Sequence, residues 1–267
     1  MNLCISNIAW DKVYDDKMYK VCSDKGYDGI EIAPSRLFQN NPYEHTKEAS
    51  FWAKRLYREF GLKVFSCQSI WYGKKENIFG SDEERDSLLE YSKKAFEFVN
   101  AVGAKNAVFG CPKNRNGYKN NLEKNDEIAV EFFGKLAENA EKADVILSIE
   151  ANPKIYGTDF LNSTGEAINF IRQVRCDSLK LNYDLGTMLY NQEKVEFIIG
   201  VEKLIGHVHI SEPNLEKISR HQEHINILDI LKYCNYDGTV SIEMKKQDTL
   251  EKVYEVMDYV RQLYTAY

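Results

Sequence analysis

The chain has 267 residues, of which 43% are hydrophobic, and its 35 basic against 41 acidic side chains give a formal net charge of −6. This length suits one barrel of alternating strands and helices, although it would also accommodate two small domains. The acidic balance argues against a nucleic-acid partner, because neutralising phosphates requires a basic surface. The sequence contains no run of eighteen apolar residues and no secretory signal, so we expect a cytoplasmic protein that does not span a membrane.

Short β-rich runs alternate with longer amphipathic runs from one end of the chain to the other. Each β-rich run is short, rich in Val, Ile or aromatic residues, and more continuously apolar than alternating, as expected of strands that are buried on both faces. In chain order these runs are NLCISNI from Asn2, GIEI from Gly29, KVFSCQ from Lys63, NAVFG from Asn106, VILSIE from Val145, LKLNYD from Leu179, GHVHIS from Gly206 and TVSIEM from Thr239.

The runs between the strands have the period of amphipathic helices. Residues 45–60 place their apolar side chains near one face and stop at Gly61, and residues 82–102 and 249–264 repeat the pattern. Eight strands that alternate with helices, without a break in composition, predict an α/β fold with a parallel sheet. We therefore interpret residues 1–267 as one domain, a single (β/α)8 TIM barrel.

Side chains of the types that bind metals end the last four predicted strands. They are Glu150 in LSIEANP, Asp184 in LNYDLG, His209 in HVHISEP and Glu243 in VSIEMK. In such barrels the catalytic groups lie where strands end and βα loops begin, so all four would share one rim. Three carboxylates that converge without a cation would repel one another and would be costly to bury. We therefore predict one divalent metal ion, and three oxygen ligands with one nitrogen favour Mn²⁺, Mg²⁺ or Co²⁺, with Zn²⁺ as an alternative.

The motifs around these residues resemble those of the xylose-isomerase-like barrels, the sugar phosphate isomerase/epimerase group that includes ketose 3-epimerases. The resemblance covers essentially the whole chain and is most specific in SIEANP, NYDLGT, HVHISEP and YDGTVSIEM. It implies that the four strand-end residues hold one metal ion, and that Glu150 and Glu243 also move the proton. Met188 stands where many relatives carry a histidine, and Leu215 where epimerases often carry an arginine, so the particular substrate is left open.

The implied function is a divalent-metal-dependent sugar or sugar-phosphate isomerase/epimerase. A metal chelated by a carbonyl and a neighbouring hydroxyl stabilises the enediolate that forms when the adjacent proton is removed. Opposed carboxylates would remove that proton from one face and return it on the other, whereas return to the next carbon gives aldose–ketose isomerisation. One alternative is a metal-dependent dehydratase on the same scaffold. The other is an endonuclease IV-like DNA repair enzyme, which is less favoured because the chain is acidic and contains only five histidines. The expected partner is a small-molecule sugar or sugar phosphate, and a homo-oligomer is left open.

Further residues near the same rim are candidates for substrate contacts. Lys113 and Arg115 follow the fourth strand, where they could bind a phosphate or carboxylate; an ordinary solvated loop is the alternative. The remaining candidates also have structural alternatives, such as a surface position, an ion pair or packing under a loop. They are Trp10, Glu31, Trp71, His221, His224 and Lys245.

Overall fold

The structure is a computed structural model that describes residues 1–266. Eight parallel strands form a closed barrel in chain order, and the first strand pairs with the last. The strands are β1 (Asn2–Ser6), β2 (Gly29–Ile32), β3 (Lys63–Cys67), β4 (Asn106–Phe109), β5 (Ile146–Glu150), β6 (Leu179–Asp184), β7 (Ile205–Ser211) and β8 (Thr239–Glu243). The predicted (β/α)8 barrel is confirmed.

Helices connect the strands. They are α1 (Asp15–Asp24), α2 (Pro34–Leu37), α3 (Thr46–Phe60), α4 (Asp82–Ala101), α5 (Leu122–Lys142), α6 (Thr164–Val174), α7 (Leu185–Asn191), α8 (Gln222–Tyr233) and α9 (Leu250–Ala266). Within the described residues, no helix is long and apolar enough to cross a membrane.

The helix ends follow from local chemistry. Helix α3 ends at Gly61, whose φ of 71° lies in the left-handed region that favours glycine. Helix α4 opens with a capping box, in which Ser81 accepts from the backbone N–H of Glu84 and the Glu84 carboxylate accepts from that of Ser81. These local signals explain why the sequence pattern places both helices to within a residue or two of their observed bounds.

The apolar core lies between the outer face of the barrel and the surrounding helices. Phe109 of β4 meets Phe133 of α5 edge to face, with ring centroids 5.1 Å apart. Phe133 in turn meets Phe170 of α6 at 5.2 Å. Such aromatic pairs bury large areas in a favourable relative orientation, so they fix the helices against the strands.

Polar side chains occupy much of the barrel interior, although the sequence pattern suggested strands that are apolar on both faces. Asn106 Nδ2 donates to Ser66 Oγ at 2.9 Å, and Ser148 Oγ donates to Asn106 Oδ1, which joins β3, β4 and β5 across the interior. Because alternate residues of a strand face the same side, Ser148 and Glu150 share this inner face. The polar interior therefore continues into the mouth of the barrel.

Candidate metal centre

Four inward-facing side chains meet at the mouth of the barrel. Glu150, Asp184, His209 and Glu243 are all buried, and one ligand atom from each lies within 4.8 Å of the others. The three carboxylates come from the last residues of β5, β6 and β8, whereas His209 lies two residues before the end of β7. A register shift after Leu181 in the pairing of β6 with β7 places His209 directly beside Asp184. The pairing thus sets His209 beside Asp184, and all four side chains converge at the mouth of the barrel.

The His209 ring lies at the centre of this group. Its Nδ1 is 3.1 Å from Glu243 Oε2 and 3.3 Å from Glu150 Oε2. The same nitrogen is 3.9 Å from Asp184 Oδ2. Ligand atoms that lie about 2.1 Å from a common ion are roughly 3–4 Å from one another, so these separations match one coordination sphere.

Amide side chains hold the two glutamates in place. Glu150 Oε1 accepts from Asn152 Nδ2 and Glu150 Oε2 from Asn182 Nδ2, each at 2.6 Å. Glu243 Oε1 accepts from Gln68 Nε2 at 2.8 Å. The sequence reasoning missed these three amides. The signal was present for Asn152 and Asn182, because each lies two residues from a predicted ligand and alternate strand residues face the same side.

Asp184 is fixed by the start of the following helix. It ends β6 and also caps α7, where its Oδ1 accepts from the backbone N–H of Thr187 at 2.6 Å. Its Oδ2 accepts from the Ser211 hydroxyl at the end of β7. Both carboxylate oxygens are therefore oriented by groups on two different elements.

Burial and mutual repulsion govern the electrostatics of the carboxylates. Burial, together with the charges of Glu150 and Glu243, raises the pKa of Asp184 to about 7. Burial also raises the pKa of Glu243, against the attraction of His209. For Glu150 burial acts in the same direction, but contact with His209 and the two amides outweighs it and lowers the pKa. The pKa of His209 is raised well above its ordinary value, because Glu243 and Glu31 outweigh the effect of burial.

The donor set fits a divalent cation. Across residues 1–266, the ion pairs that the three carboxylates form are with His209. Burying several like charges with one titratable partner costs several kcal/mol per ion, and a cation at their centre removes that cost. Three oxygen donors and one nitrogen suit Mn²⁺, Mg²⁺ or Co²⁺ and are compatible with Zn²⁺.

Two cavities include Ser69 in their lining, and one of them contains the carboxylates. One of 170 Å³ is lined by the three carboxylates together with groups that include Ser69, Tyr156 and Leu215. A larger groove of 690 Å³ also contains Ser69, and its lining includes Trp10, Tyr72 and three basic side chains. The two spaces therefore share one lining residue, Ser69, on the loop after β3.

Arg115 does not occupy the solvated position in which it would bind a substrate anion. Its guanidinium is fully buried, and Nη2 donates to the Glu150 carbonyl oxygen at 2.7 Å and to Asn152 Oδ1. The group also lies over the Phe109 ring. Through Nη2 the group thus contacts a carbonyl and an amide oxygen next to the Glu150 side chain, while its Nε and Nη1 are buried without a hydrogen-bond partner among residues 1–266. Lys113 remains exposed and lines neither cavity.

The two tryptophans have different surroundings. Trp10 is buried at the edge of the larger groove, where its Nε1 donates to Asp15 Oδ1 at 2.9 Å. Trp71 packs edge to face on Phe109, and its Nε1 donates to Ser92 Oγ at 2.8 Å. Only Trp10 is therefore placed near a cavity; Trp71 belongs to the core.

The remaining candidates have protein partners instead of facing the cavity. His221 Nε2 lies 2.8 Å from Glu212 Oε1. His224 is buried against Tyr259, and Lys245 pairs with Glu216 on the surface. None of these three side chains lines either cavity, since loop and helix contacts hold them elsewhere.

Glu31 lies inside the barrel beneath the metal centre. It is fully buried, and its Oε2 is 3.0 Å from His209 Nε2. Burial opposes its ionisation, but the charges of His209 and His207 outweigh burial and hold the pKa of Glu31 well below its ordinary value. It is therefore positioned to contact a histidine and not a substrate.

The chain resembles known proteins along its whole length. Residues 19–263 match a family model described as xylose isomerase-like TIM barrel. A 3-keto-D-glucoside 4-epimerase from E. coli superposes with a TM-score of 0.79 and 18% identity over 98% of this chain and 99% of that chain. D-psicose 3-epimerase from Clostridium cellulolyticum H10 gives 0.77 and 17% over 98% and 96%.

A family 2 AP endonuclease from Brucella melitensis shares the architecture as well. Its TM-score is 0.73, with 14% identity over 94% of this chain and 96% of that chain. At such identities the likeness to solved structures shows the fold alone. No curated protein matches the sequence.

Proposed function

The chain belongs to the xylose isomerase-like TIM barrel family, and on that premise we propose that it is a divalent-metal-dependent sugar or sugar-phosphate isomerase, most simply an epimerase. The observation that carries the proposal is the convergence of four buried ligand-type side chains at the mouth of the barrel. Solved neighbours whose titles name sugar epimerases support the substrate class. The net charge of −6 weighs against a DNA substrate.

The metal ion would be held by Glu150, Asp184, His209 and Glu243. A divalent cation at this position would polarise a substrate carbonyl and offset the negative charge that develops when the neighbouring proton leaves. Asp184 would serve metal binding, with its two oxygens oriented by Thr187 and Ser211.

Glu150 and Glu243 would be the proton-transfer pair. Both line the 170 Å³ cavity. They come from β5 and β8, which two strands separate, so they approach a ligand from different sides. A carboxylate on each side of one carbon can accept its proton from one face and deliver a proton to the other, which inverts that centre.

Hydrogen exchange tests this proposal directly. Mn²⁺-loaded protein is incubated in D₂O with a panel of ketoses, keto-glycosides and their phosphates. We expect deuterium at one carbon beside the carbonyl and an inverted product, with loss of turnover in both Glu150→Gln and Glu243→Gln. Glu216→Gln, which changes an exposed carboxylate paired with Lys245, is the control and should remain active. Chelation should abolish turnover and leave the circular dichroism spectrum unchanged, because the barrel closes through its eight strands.

Other labelling patterns would contradict the epimerase assignment. Transfer of label to the adjacent carbon of the same molecule would identify an aldose–ketose isomerase. Loss of water from the substrate would identify a dehydratase. Absence of exchange with every member of the panel would overturn the proposal as a whole.

A further inference from the structure

A second group of buried side chains lies directly beneath the candidate metal centre. Glu31, His207 and His209 are each fully buried, and one ligand-type atom from each lies within 4.8 Å of the others. The proposed proton transfer uses neither Glu31 nor His207. Burying a carboxylate inside a barrel is costly unless specific contacts compensate it, so this arrangement requires an explanation.

The Glu31 carboxylate lies between two imidazole rings. Its Oε2 is 3.0 Å from His209 Nε2, and its Oε1 is 3.3 Å from His207 Nε2. The two rings are nearly perpendicular, with centroids 5.0 Å apart. Glu31 belongs to β2 and the histidines belong to β7, which are separated by β8 and β1 in the closed barrel. The contact therefore crosses the barrel interior.

His209 has a polar partner on each side of its ring. Asn182 Nδ2 lies 3.1 Å from Nδ1, and the same amide nitrogen donates to Glu150 Oε2 at 2.6 Å. The contact with Glu150 fixes the orientation of the amide, because the flipped amide would set two oxygens against each other. An amide nitrogen can only donate, and an ionised carboxylate can only accept. Glu31 Oε2 is therefore placed to accept a proton carried on Nε2, while Nδ1 faces Glu150, Asp184 and Glu243.

We propose that Glu31 is a positioning residue for the metal centre. By accepting the Nε2–H of His209, it keeps the Nδ1 lone pair directed at the point where Glu150, Asp184 and Glu243 converge. A carboxylate behind a metal-binding histidine fixes the orientation of the ring and increases its basicity. This inference rests on the proposed metal site and assigns Glu31 a role that involves no contact with the substrate.

A second metal ion at Glu31, His207 and His209 is the competing explanation. The His207 ring nitrogens and Glu31 Oε1 lack hydrogen-bond partners of good geometry, and an ion would satisfy them. However, His209 would then have to bind one ion through each nitrogen, which requires the loss of both ring protons. A single ion on Nδ1 leaves His209 neutral with one proton for Glu31. The geometry therefore favours one ion per chain.

Metal binding measured without any substrate tests this inference. In calorimetric Mn²⁺ titrations the wild-type chain should bind one ion, and Glu31→Leu should bind it about 10–100-fold more weakly, the effect typical of removing such a partner. Glu31→Gln keeps the shape and one acceptor oxygen, so its Mn²⁺ affinity should fall less. This variant provides the test if Glu31→Leu does not fold. His207→Gln removes the other imidazole of the cluster and should leave the stoichiometry at one ion, with a smaller loss of affinity than Glu31→Leu, because His207 acts on the metal site only through Glu31.

Nitrogen NMR of the Zn²⁺-loaded protein, labelled in its histidines, gives a second readout. We expect the wild-type His209 to show a protonated Nε2, with a proton resonance that shifts or disappears in both Glu31 variants. Unchanged Mn²⁺ affinity and unchanged His209 signals in both variants would overturn the role of Glu31 and leave the proposed function intact. Two ions per wild-type chain, reduced to one by His207→Gln, would also overturn it. Absence of Mn²⁺ binding to the wild type would overturn both proposals.

Discussion

At the scale of single residues, the direction of two hydrogen bonds fixes how the Asn152 amide meets Glu150. The buried Arg115 guanidinium can only donate, and it donates to Asn152 Oδ1. The Asn152 amide therefore presents its NH₂ group to Glu150 Oε1, where it donates at 2.6 Å. The Arg115 guanidinium thus determines which end of the Asn152 amide meets the carboxylate proposed as a proton carrier.

A pH dependence of stability follows from another buried residue, His224. Burial, reinforced by the nearby His221, lowers the pKa of His224 to about 4. As pH falls below about 6.5, the unfolded chain protonates His224 before the folded chain does. The free energy of unfolding therefore falls between about pH 6.5 and 4, with a slope of up to ~1.4 kcal/mol per pH unit. We expect His224→Leu to reduce the difference in free energy of unfolding between pH 7 and pH 4.5.

Urea denaturation with chelator present at both pH values measures this difference. His45→Leu is the control, because His45 is a partly exposed histidine stacked on Phe38, and it should leave the wild-type difference in place. Equal pH dependence in wild type and His224→Leu would show that His224 does not titrate as expected.

The sequence placed some residues of the candidate site more readily than others. Glu150 and Glu243 could be placed at the mouth because a strand end is a local feature and the mouth of a barrel gathers all strand ends. The position of Arg115 could not be predicted, because the oxygens that solvate it belong to residues more than 30 positions away along the chain. The partner of Glu31 likewise depends on which strands face each other across the interior.

At the scale of elements, strand bounds were more predictable than strand register. The patterns starting at Gly29 and Leu179 match β2 and β6 throughout, and almost every residue of both strands is buried. The register shift after Leu181 depends on the pairing with β7 and leaves no such signal. That shift sets His209 beside Asp184. The position of His209, two residues before the end of β7, therefore emerged only from the structure.

The junction of α7 with β7 should be intolerant of an added methyl group. Gly186 donates its backbone N–H to Ser211 Oγ at 2.8 Å, and a Cβ built there would lie 2.9 Å from both the Glu212 backbone and Ser211 Oγ. Gly186→Ala should therefore displace Ser211 from Asp184 and lower the free energy of unfolding by about 1–3 kcal/mol, the usual effect of overpacking. Its Mn²⁺ affinity should fall as well.

A helical glycine in open space is the matched control for this prediction. A Cβ at Gly165, in α6, meets nothing within 4 Å. Gly165→Ala should therefore raise the free energy of unfolding, by about 0.5–1 kcal/mol, with unchanged Mn²⁺ affinity. Urea unfolding and calorimetry measure both quantities, and equal effects of the two substitutions would contradict the packing argument.

At the scale of the whole molecule, positive charge is concentrated on one side of the mouth. The protein carries a net charge of −6, and the 170 Å³ cavity is lined by three carboxylates. The 690 Å³ groove that shares Ser69 with it is instead lined by Lys12, Arg36 and Lys246, of which Arg36 pairs with Asp15 and Lys246 with Asp11. A substrate that reaches from the carboxylates past Ser69 would place its far end among these cations, so an anionic end group would be favoured there.

Two adjacent lysines allow this expectation to be tested. Lys246 lines the groove and pairs with Asp11, whereas Lys245 pairs with Glu216 outside it, and both side chains are more than half exposed. Lys246→Ala should raise KM for a phosphorylated ketose about fivefold, because an exposed ion pair can contribute ~1 kcal/mol. The KM for the neutral sugar should remain nearly unchanged. Because it removes the same charge from the next position, Lys245→Ala isolates the contribution of the groove from that of overall charge. A similar rise in KM for both sugars, or equal effects of the two substitutions, would show that the groove does not bind the phosphate.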